Sequence, residues 1–183
     1  PFNDDGSLDL DGQRRVIDCM IDQGVDGLCI LANYSEQFLL SDSEREILQT
    51  LCLEHTNARV PIIATCSHFS TRIAVERCQN AESQGAAMVM MMAPYHGALL
   101  KANDEGVYQH FGALSQAIDI PIMIQDAPLS GVTLPVPLLA RLAKDFSNVS
   151  YFKIETSGTA EKLKILLQAA GDHIDGPFDG EEG

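Results

Sequence analysis

The sequence has few basic residues, and these form no cluster. Its 183 residues include 12 lysines and arginines against 26 aspartates and glutamates, for a formal charge of −14. Proteins that bind nucleic acid neutralise phosphates with clustered lysine and arginine, so nucleic acid is not an expected partner. The negative field also repels anions, and an anionic substrate would need hydrogen-bond donors aimed directly at it.

Long apolar runs and paired cysteines are missing as well. No segment reaches about 18 uninterrupted apolar residues, and no charged and then apolar leader opens the chain, so we expect neither a membrane span nor an export signal. The five cysteines include no Cys-x-x-Cys pair, which favours reduced, mostly structural thiols in a cytoplasmic protein. His68 and His96 have no second histidine or cysteine at metal-ligand spacing, so the sequence predicts no metal site.

The sequence also lacks a low-complexity linker, and short β-rich runs alternate with amphipathic stretches along its length. The runs recur about every 30 residues, the length of a βα unit. The six predicted strands cover residues 27–31, 61–66, 88–93, 120–125, 149–155 and 173–178. Apolar residues have helical spacing between them, as from Val16 to Ile21, and Ser41 with Glu44 has the form of a capping box. Repeated βα units predict a parallel sheet covered by helices.

Two closures of such a sheet are compatible with the pattern. An open, doubly wound sheet usually carries a glycine-rich nucleotide motif at a strand-to-helix turn, and neither G-x-G-x-x-G nor a P-loop occurs here. A (β/α)8 barrel needs about 250 residues. Because the chain supplies only six candidate strands, a barrel built from it would be incomplete.

Polar side chains stand at the C-terminal ends of all the predicted strands. Parallel α/β proteins of either type build their sites at this edge. In strand order the residues are Asn33, Tyr34, Ser35 and Glu36; Ser67 and His68; Tyr95 and His96; Gln125 and Asp126; Lys153 and Glu155; and Asp179, Glu181 and Glu182. Repetition at successive strand ends indicates a shared functional site.

Lys153 lies in a run, residues 149–155, that otherwise has the pattern of a buried strand. Alternation places Tyr151, Lys153 and Glu155 on one face of that strand. Burial favours the neutral, nucleophilic form of an amine, which points to Schiff-base chemistry with a ketone. The alternative is a surface strand whose lysine extends into solvent or pairs with Glu155.

Short motifs along nearly the whole chain resemble, in order, those of one enzyme family. They are Pro-Phe at residues 1–2, Ala-Asn-Tyr-Ser-Glu at 32–36, Ala-Pro-Tyr-His at 93–96, Gln-Asp-Ala-Pro at 125–128, Phe-Lys-Ile-Glu at 152–155 and the glycine- and acid-rich segment 176–182. This series is similar to that of the dihydrodipicolinate synthase and N-acetylneuraminate lyase superfamily of lysine-dependent (β/α)8 barrels.

The resemblance implies a fold and an assembly. The fold is an incomplete (β/α)8 TIM barrel, one partial domain over residues 1–183. It would contain strands two to seven with their helices and lack most of strand one, strand eight and the C-terminal helices. The resemblance also implies a homo-oligomer, a tetramer in this family, when the protein is full length.

Departures from the family pattern bear on the reaction. Dihydrodipicolinate synthase uses tyrosines at the positions of His96 and Gln125, and an arginine shortly after the proline at position 128. Here Leu-Ser-Gly follows at 129–131, which disfavours that activity. The set Gln125, Lys153, Glu155 and Glu182 is more similar to the L-2-keto-3-deoxyarabonate dehydratase branch, which makes 2-oxoglutarate semialdehyde from a five-carbon acid. The resemblance thus implies a hydro-lyase, active on a small 2-keto acid.

The residues suggest roles in such a reaction. Lys153 would attack the C2 ketone, and the protonated imine would acidify the C3 hydrogens. Glu155, on the same strand face, would exchange the C3 proton. Tyr95, Gln125 and Glu182 would supply or position the acid or water that removes the C4 hydroxyl. This chemistry requires no metal and no external cofactor.

The loop after the first predicted strand is the expected substrate-carboxylate site. Its donors would be the side chains and backbone of Asn33, Tyr34 and Ser35, although it has no glycine to allow close backbone approach. Two other functions remain open. One is a pyruvate-dependent aldolase, or a dihydrodipicolinate synthase-like enzyme, on the same lysine; the other is a ligand-binding or truncated chain without turnover.

Overall fold

The structure, a computed structural model, describes residues 1–96, 100–127 and 130–180, with residues 95, 96, 100 and 101 described by their backbone alone. Its strands are β1 (Leu28–Ile30), β2 (Ile62–Thr65), β3 (Met88–Met92), β4 (Tyr95–His96), β5 (Leu100–Lys101), β6 (Ile122–Asp126), β7 (Val149–Ile154) and β8 (Gly176–Asp179). Its α-helices are α1 (Leu10–Asp22), α2 (Asp42–Thr56), α3 (Thr71–Ser83), α4 (Asp104–Ala117), α5 (Val136–Asp145) and α6 (Thr159–Ala170). Short 3₁₀ helices span Asn33–Ser35, Gln37–Leu39 and Gly171–His173.

One parallel sheet contains six of the strands, in the order β1-β2-β3-β6-β7-β8. This order follows the chain, and a helix connects each strand of the sheet to the next. A doubly wound sheet reverses its strand order at a switch point, whereas a barrel does not. The connectivity therefore confirms the predicted incomplete (β/α)8 barrel.

The predicted strands all occur, with small differences at their ends. The last strand begins at Gly176 rather than at residue 173, because Gly171–His173 forms a turn of 3₁₀ helix. Phe2, expected near the end of a first strand, makes an isolated antiparallel bridge with Leu8. Strands β4 and β5 form a separate antiparallel pair beyond the end of β3, which the sequence did not predict.

The outer face of the sheet packs against the helices. Alternate strand positions, including Val89, Met91 and Phe152, are fully buried there. Phe111 of α4 and Leu139 of α5 belong to the same core and are equally buried. Removing this apolar surface from water is the main stabilising contribution, and it fixes the direction in which the remaining strand residues point.

The inner face of the sheet carries the other half of each strand. Pairing between strands places Met92 beside Gln125, and Gln125 beside Lys153, in one row. Met90, two residues before Met92 and on the same face of β3, is also buried. Met91 between them is buried on the outer face, so the run at residues 90–92 packs on both faces of β3. The three methionines therefore contribute to packing on both sides of the sheet.

Local sequence signals position the helices. The capping box at α2 is present, with the Glu44 backbone N–H donating to Ser41 Oγ at 3.3 Å and the Ser41 N–H donating to Glu44 Oε2 at 2.8 Å. Pro135 precedes α5 and Pro137 lies in its first turn, as expected for a residue without an N–H to satisfy. The capping box satisfies free N–H groups at the start of α2. The prolines leave fewer N–H groups to satisfy at the start of α5.

The apolar stripe predicted on α1 is only partly covered. Ile17 is buried, whereas Val16 and Met20 remain exposed and line a groove between α1 and β1. β1 is the first strand of the six-stranded sheet. On the side of the groove, β1 has no neighbouring strand among the described residues. Within residues 1–96, 100–127 and 130–180, none of the helices has the length and apolar content to cross a membrane.

Candidate active site

Strand pairing brings the predicted lysine and its neighbours to one edge of the inner face. Lys153 lies near the end of β7, and Glu155 follows that strand directly. Gln125 occupies the matching position of β6, since the register pairs it with Lys153. The Glu155 backbone N–H donates to the Asp126 carbonyl at 2.9 Å and extends the pairing past the end of β7.

Lys153 and Gln125 both contact the carboxylate of Glu155. The distance from Lys153 Nζ to Glu155 Oε1 is 2.5 Å. Gln125 Nε2 lies 3.1 Å from each of the two Glu155 oxygens. The carboxylate therefore receives a charged donor on one side and an amide donor on the other, which fixes its position relative to both side chains.

The environment of Lys153 differs from an apolar strand face. Its side chain is 28% exposed, that of Glu155 is 14% exposed, and the two form an ion pair. The sequence predicted an amine held neutral by burial. Instead, the amine is partly exposed and contacts a carboxylate that is placed to accept a proton from it.

Gln125 has an acceptor that no described residue uses. The side chain is 2% exposed, and its Oε1 is buried without a hydrogen-bond partner in the described part of the chain. The opposite amide orientation would place Oε1 against a carboxylate, with two acceptors in contact. A buried acceptor without a donor is unfavourable, so this atom is suited to receive a hydroxyl from a ligand or a water.

Asn33 lies at the same edge of the sheet, in the 3₁₀ helix after β1. Its Nδ2 is 3.9 Å from Met92 Sδ, and its Oδ1 accepts a hydrogen bond from Gln37 Nε2 at 2.8 Å. Tyr34 is 98% exposed and Ser35 is also exposed. None of the contacts found among the described residues joins this loop to Lys153, and its role as a carboxylate site stays a prediction.

Two predicted residues are only partly described or undescribed. The backbone of Tyr95 begins β4, just beyond the end of β3, and its side chain is not described. Glu182, with Glu181, lies outside the described residues. The roles predicted for Tyr95 and Glu182 remain predictions.

Cys29 is an inner-face residue that the sequence analysis had grouped with the structural thiols. It alternates with the buried Leu28 and Ile30, and its Sγ lies 3.8 Å from Thr65 Oγ1. Burial raises the pKa of the thiol, and the hydrogen bond with Thr65 and the charge of Lys153 partly oppose that rise. Cys29 is nevertheless exposed among the described residues. The position of Cys29 between two apolar residues of a strand is the sequence signal that could have placed it on the inner face.

A second lysine–carboxylate pair stabilises the outer side of the same edge. Lys162 of α6 contacts Asp126, whose side chain is fully buried. The Leu134 backbone N–H donates to the other Asp126 oxygen at 3.2 Å. This pair connects β6 to α6 and to the segment before α5, directly behind Gln125.

Other polar residues near the strand ends have structural partners. The Met92 N–H donates to Ser67 Oγ at 2.9 Å, and the Ser70 N–H donates to His68 Nδ1 at 2.9 Å. Burial lowers the pKa of His68. Across the described ranges, no group of three histidine, cysteine or acidic residues is arranged to hold a metal ion.

The fold and this edge together define a class of protein: a (β/α)8-barrel protein with a lysine and a carboxylate in contact at the C-terminal end of one strand and a glutamine from the adjacent strand bound to that carboxylate. Sequence comparison then gives the family. The profile described as the dihydrodipicolinate synthetase family matches residues 1–175. The chain belongs to this family.

Individual relatives agree with the family assignment. The chain is 52% identical over 181 residues to the L-2-keto-3-deoxyarabonate dehydratase of Azospirillum brasilense, covering 99% of this chain and 59% of the relative. A putative dihydrodipicolinate synthetase from Pseudomonas aeruginosa superimposes with a TM-score of 0.90 at 33% identity, over 96% of this chain and 60% of that one.

A third relative has a ligand. A dihydrodipicolinate synthase from Acinetobacter baumannii, solved in complex with pyruvate, superimposes with a TM-score of 0.89 at 28% identity, over 96% of this chain and 59% of that one. The chain therefore spans about three fifths of the length of these relatives.

Proposed function

We propose that the full-length protein is a hydro-lyase that dehydrates a 2-keto-3-deoxy sugar acid through a Schiff base on Lys153. The proposed substrate is L-2-keto-3-deoxyarabonate, and the product is 2-oxoglutarate semialdehyde. The contact of Lys153 and Gln125 with one carboxylate, that of Glu155, is the observation that carries the proposal. The identity to a dehydratase of that name supports the choice of substrate.

The first step is attack of Lys153 Nζ on the C2 ketone. The amine must lose its extra proton, and Glu155 Oε1 at 2.5 Å is placed to accept it. The carbinolamine then expels the former ketone oxygen as water and gives a protonated imine. Its positive nitrogen acts as an electron sink and acidifies the C3 hydrogens.

Glu155 is the proposed base for the next step. Its carboxylate lies beside the nitrogen that carries the imine, so C3, one bond from the imine carbon, is within reach of an oxygen. Removal of a C3 proton gives an enamine, whose electrons expel the C4 hydroxyl as water once that oxygen is protonated. Loss of one proton from C5 and of the C5 hydroxyl proton, with protonation at C3 and at C4, gives the aldehyde, and water hydrolyses the imine.

Gln125 is proposed to orient the leaving group. An amide does not act as an acid near neutral pH, but its Oε1 has no partner among the described residues and accepts a hydrogen bond from the C4 hydroxyl or from a water. The proton for the leaving oxygen would come from protonated Glu155, Tyr95 or Glu182. Asn33, Tyr34 and Ser35 are the proposed donors to the substrate carboxylate.

A pyruvate-dependent aldolase on the same lysine is the second candidate. The pyruvate complex of the Acinetobacter relative favours it, because pyruvate is the product of aldol cleavage of 2-keto-3-deoxy acids. Incubation of the full-length enzyme with the five-carbon acid distinguishes the two. We expect 2-oxoglutarate semialdehyde without pyruvate, and release of pyruvate would favour the aldolase.

The wider properties follow from the family resemblance. We infer that residues 1–183 form part of a single barrel domain, and that the full-length protein is a cytoplasmic homo-oligomer acting on a small molecule. Size-exclusion chromatography with light scattering tests the assembly. A monomer at micromolar concentration would contradict it.

The Schiff base itself is tested by trapping. The full-length enzyme is incubated with L-2-keto-3-deoxyarabonate and borohydride, and its intact mass is measured. We expect an adduct in the native enzyme and in a control, Lys164→Ala, whose lysine is 65% exposed on α6. Lys153→Ala should give none. An adduct that persists in Lys153→Ala would disprove the assignment of the nucleophile.

A further inference from the structure

Gly180 lies against the side chain of Glu155. Its backbone N–H donates to the Ile154 carbonyl at 2.9 Å, which brings the residue after β8 beside the end of β7. A β-carbon built on Gly180 would lie 2.3 Å from Glu155 Cγ, 3.1 Å from Cδ and 3.0 Å from Oε1. A contact of 2.3 Å between carbons is impossible, so a side chain here requires Glu155 to move.

We propose that Gly180 is a positioning residue whose missing side chain provides the space for the Glu155 carboxylate between Lys153 and Gln125. The inference rests on the proposed function, because it gives Gly180 a role through the base of that reaction. A residue larger than glycine would rotate Glu155 about its side-chain bonds. The same rotation would separate its oxygens from Lys153 Nζ and from Gln125 Nε2.

The backbone does not explain a glycine at this position. Five other glycines of the described chain have positive φ angles, where a side chain is strained: Gly6, Gly24, Gly85, Gly131 and Gly158. Gly180 is not among them. Alanine at position 180 therefore meets an obstacle in the Glu155 side chain and none in its own φ angle.

Gly171 provides a matched control. It has a φ angle of −54°, and a β-carbon built there has no heavy atom within 4 Å. Gly171→Ala and Gly180→Ala make the same chemical change at two ordinary backbone conformations. They differ in whether the new methyl group meets Glu155.

The test is a double-mutant cycle on the full-length enzyme with Gly180→Ala, Glu155→Ala and both together. We expect Gly180→Ala to lower kcat about 100-fold, the range for loss of a general base. The borohydride-trapped adduct with pyruvate should persist. In the Glu155→Ala background, Gly180→Ala should cause no further loss, because the obstructing atoms are gone. Gly171→Ala should leave kcat within about twofold of the native value.

Two results would overturn the inference. One is turnover of Gly180→Ala at the native rate. The other is a further loss of kcat when Gly180→Ala is added to Glu155→Ala, by the same factor as in the native background. If Gly180→Ala folds poorly, thermal melting gives the same decision, since Glu155→Ala should restore the melting temperature. Absence of that rescue would contradict the proposed contact.

A crystal structure of Gly180→Ala separates this inference from the proposed function. We expect the Glu155 carboxylate to be displaced from Lys153 and Gln125. If it is displaced while the native enzyme dehydrates nothing, the proposed reaction is wrong and the role of Gly180 stands. If the carboxylate has not moved, the role of Gly180 is wrong whatever the enzyme catalyses.

Discussion

Two lysine–carboxylate pairs lie at the same edge of the sheet, on opposite faces, and they differ in how completely they are satisfied. On the outer face, Asp126 is fully buried and both of its oxygens have partners, Lys162 and the Leu134 N–H. On the inner face, Lys153 is partly exposed, and the amide of Gln125 that supports Glu155 has an acceptor that no described residue uses.

The difference indicates two uses of the same chemical groups. In the outer pair both oxygens of Asp126 have partners, and the pair connects β6 to α6. Its contribution is therefore to hold the strand ends in register. In the inner pair Lys153 is partly exposed and Gln125 donates to Glu155, an arrangement that fits the reacting role proposed for this pair. Since Gln125 and Asp126 are neighbours, the outer pair also supports the inner one.

Loss of Lys153 should have the largest effect. We expect Lys153→Ala in the full-length enzyme to lower kcat by at least about 1000-fold, because the covalent route is removed. Stability should change little, since the lysine is partly exposed. Steady-state assay of semialdehyde formation checks the first point and urea unfolding the second. Turnover within about tenfold of the native enzyme would place the chemistry elsewhere.

The outer pair should respond in the opposite way. Lys162→Met leaves the buried Asp126 without its charged partner and should lower the free energy of unfolding by about 3 to 5 kcal/mol. Lys164→Met, on the exposed side of the same helix, is the control and should change it by less than about 0.5 kcal/mol. Urea unfolding followed by circular dichroism measures both. Equal effects of the two substitutions would show that the outer pair is not structural.

A second comparison is between Gln125 and His110 of α4. Like Gln125 Oε1, His110 Nε2 is buried without a partner among the described residues. Its Nδ1 lies 2.9 Å from Thr71 Oγ1, and burial lowers the pKa of the imidazole from 6.5 to about 4. The unfolded chain binds the proton near pH 6.5 and the folded chain only near pH 4. The contribution of His110 is thus fully present above pH 6.5 and lost as the pH falls to 4, by about 3 kcal/mol.

The measurement for His110 is the free energy of unfolding as a function of pH. Native protein and His110→Gln are compared between pH 7 and 4, and we expect the variant to lose less stability over this interval. Other groups that titrate in both proteins cancel in the difference. Parallel curves would contradict the role assigned to His110 burial.

Glu155→Gln sharpens the contrast within the inner pair. The substitution preserves size and removes the base, so kcat should fall about 100-fold while the pyruvate adduct on Lys153 still forms. Rapid-quench trapping separates imine formation from turnover. If imine formation and turnover fall equally, Glu155 acts on Lys153 alone and not on the C3 proton.

Gln125→Met should have the smallest effect. Methionine has a similar volume, but it removes the donor to Glu155 and the free acceptor, and kcat should fall about tenfold. The KM for the five-carbon acid separates ground-state binding from catalysis. An unchanged kcat would mean that the unused acceptor has no function in the reaction.

Much of the fold was predictable because its signals are local. The strands, the capping box at Ser41 and Glu44 and the position of Lys153 follow from periodicity and residue type. Alternation placed Glu155 and Lys153 on one face of β7, and their pairing is what the alternative interpretation of that strand included. Gln125 joined them because parallel strands align their C-terminal ends, a property of the sheet that the strand order implies.

The remaining features depend on distances that the sequence does not contain. That Gln125 Oε1 is buried without a partner among the described residues becomes visible only from the positions of the surrounding atoms. The steric role of Gly180 depends on the approach of β8 to β7, and its ordinary φ angle gives no sign of it. The pairing of Lys162 with Asp126 joins a helix to a strand 36 residues away, which no periodicity indicates.

The most direct test is a peptide map of the full-length enzyme after trapping with borohydride in the presence of L-2-keto-3-deoxyarabonate. The same digest shows whether Lys153 of the inner pair and Lys162 of the outer pair are modified. The adduct should be found on the peptide that contains Lys153, and the peptide that contains Lys162 should be unmodified. An adduct on Lys162, or no adduct on either lysine, would contradict the assignment of the inner pair as the reacting one.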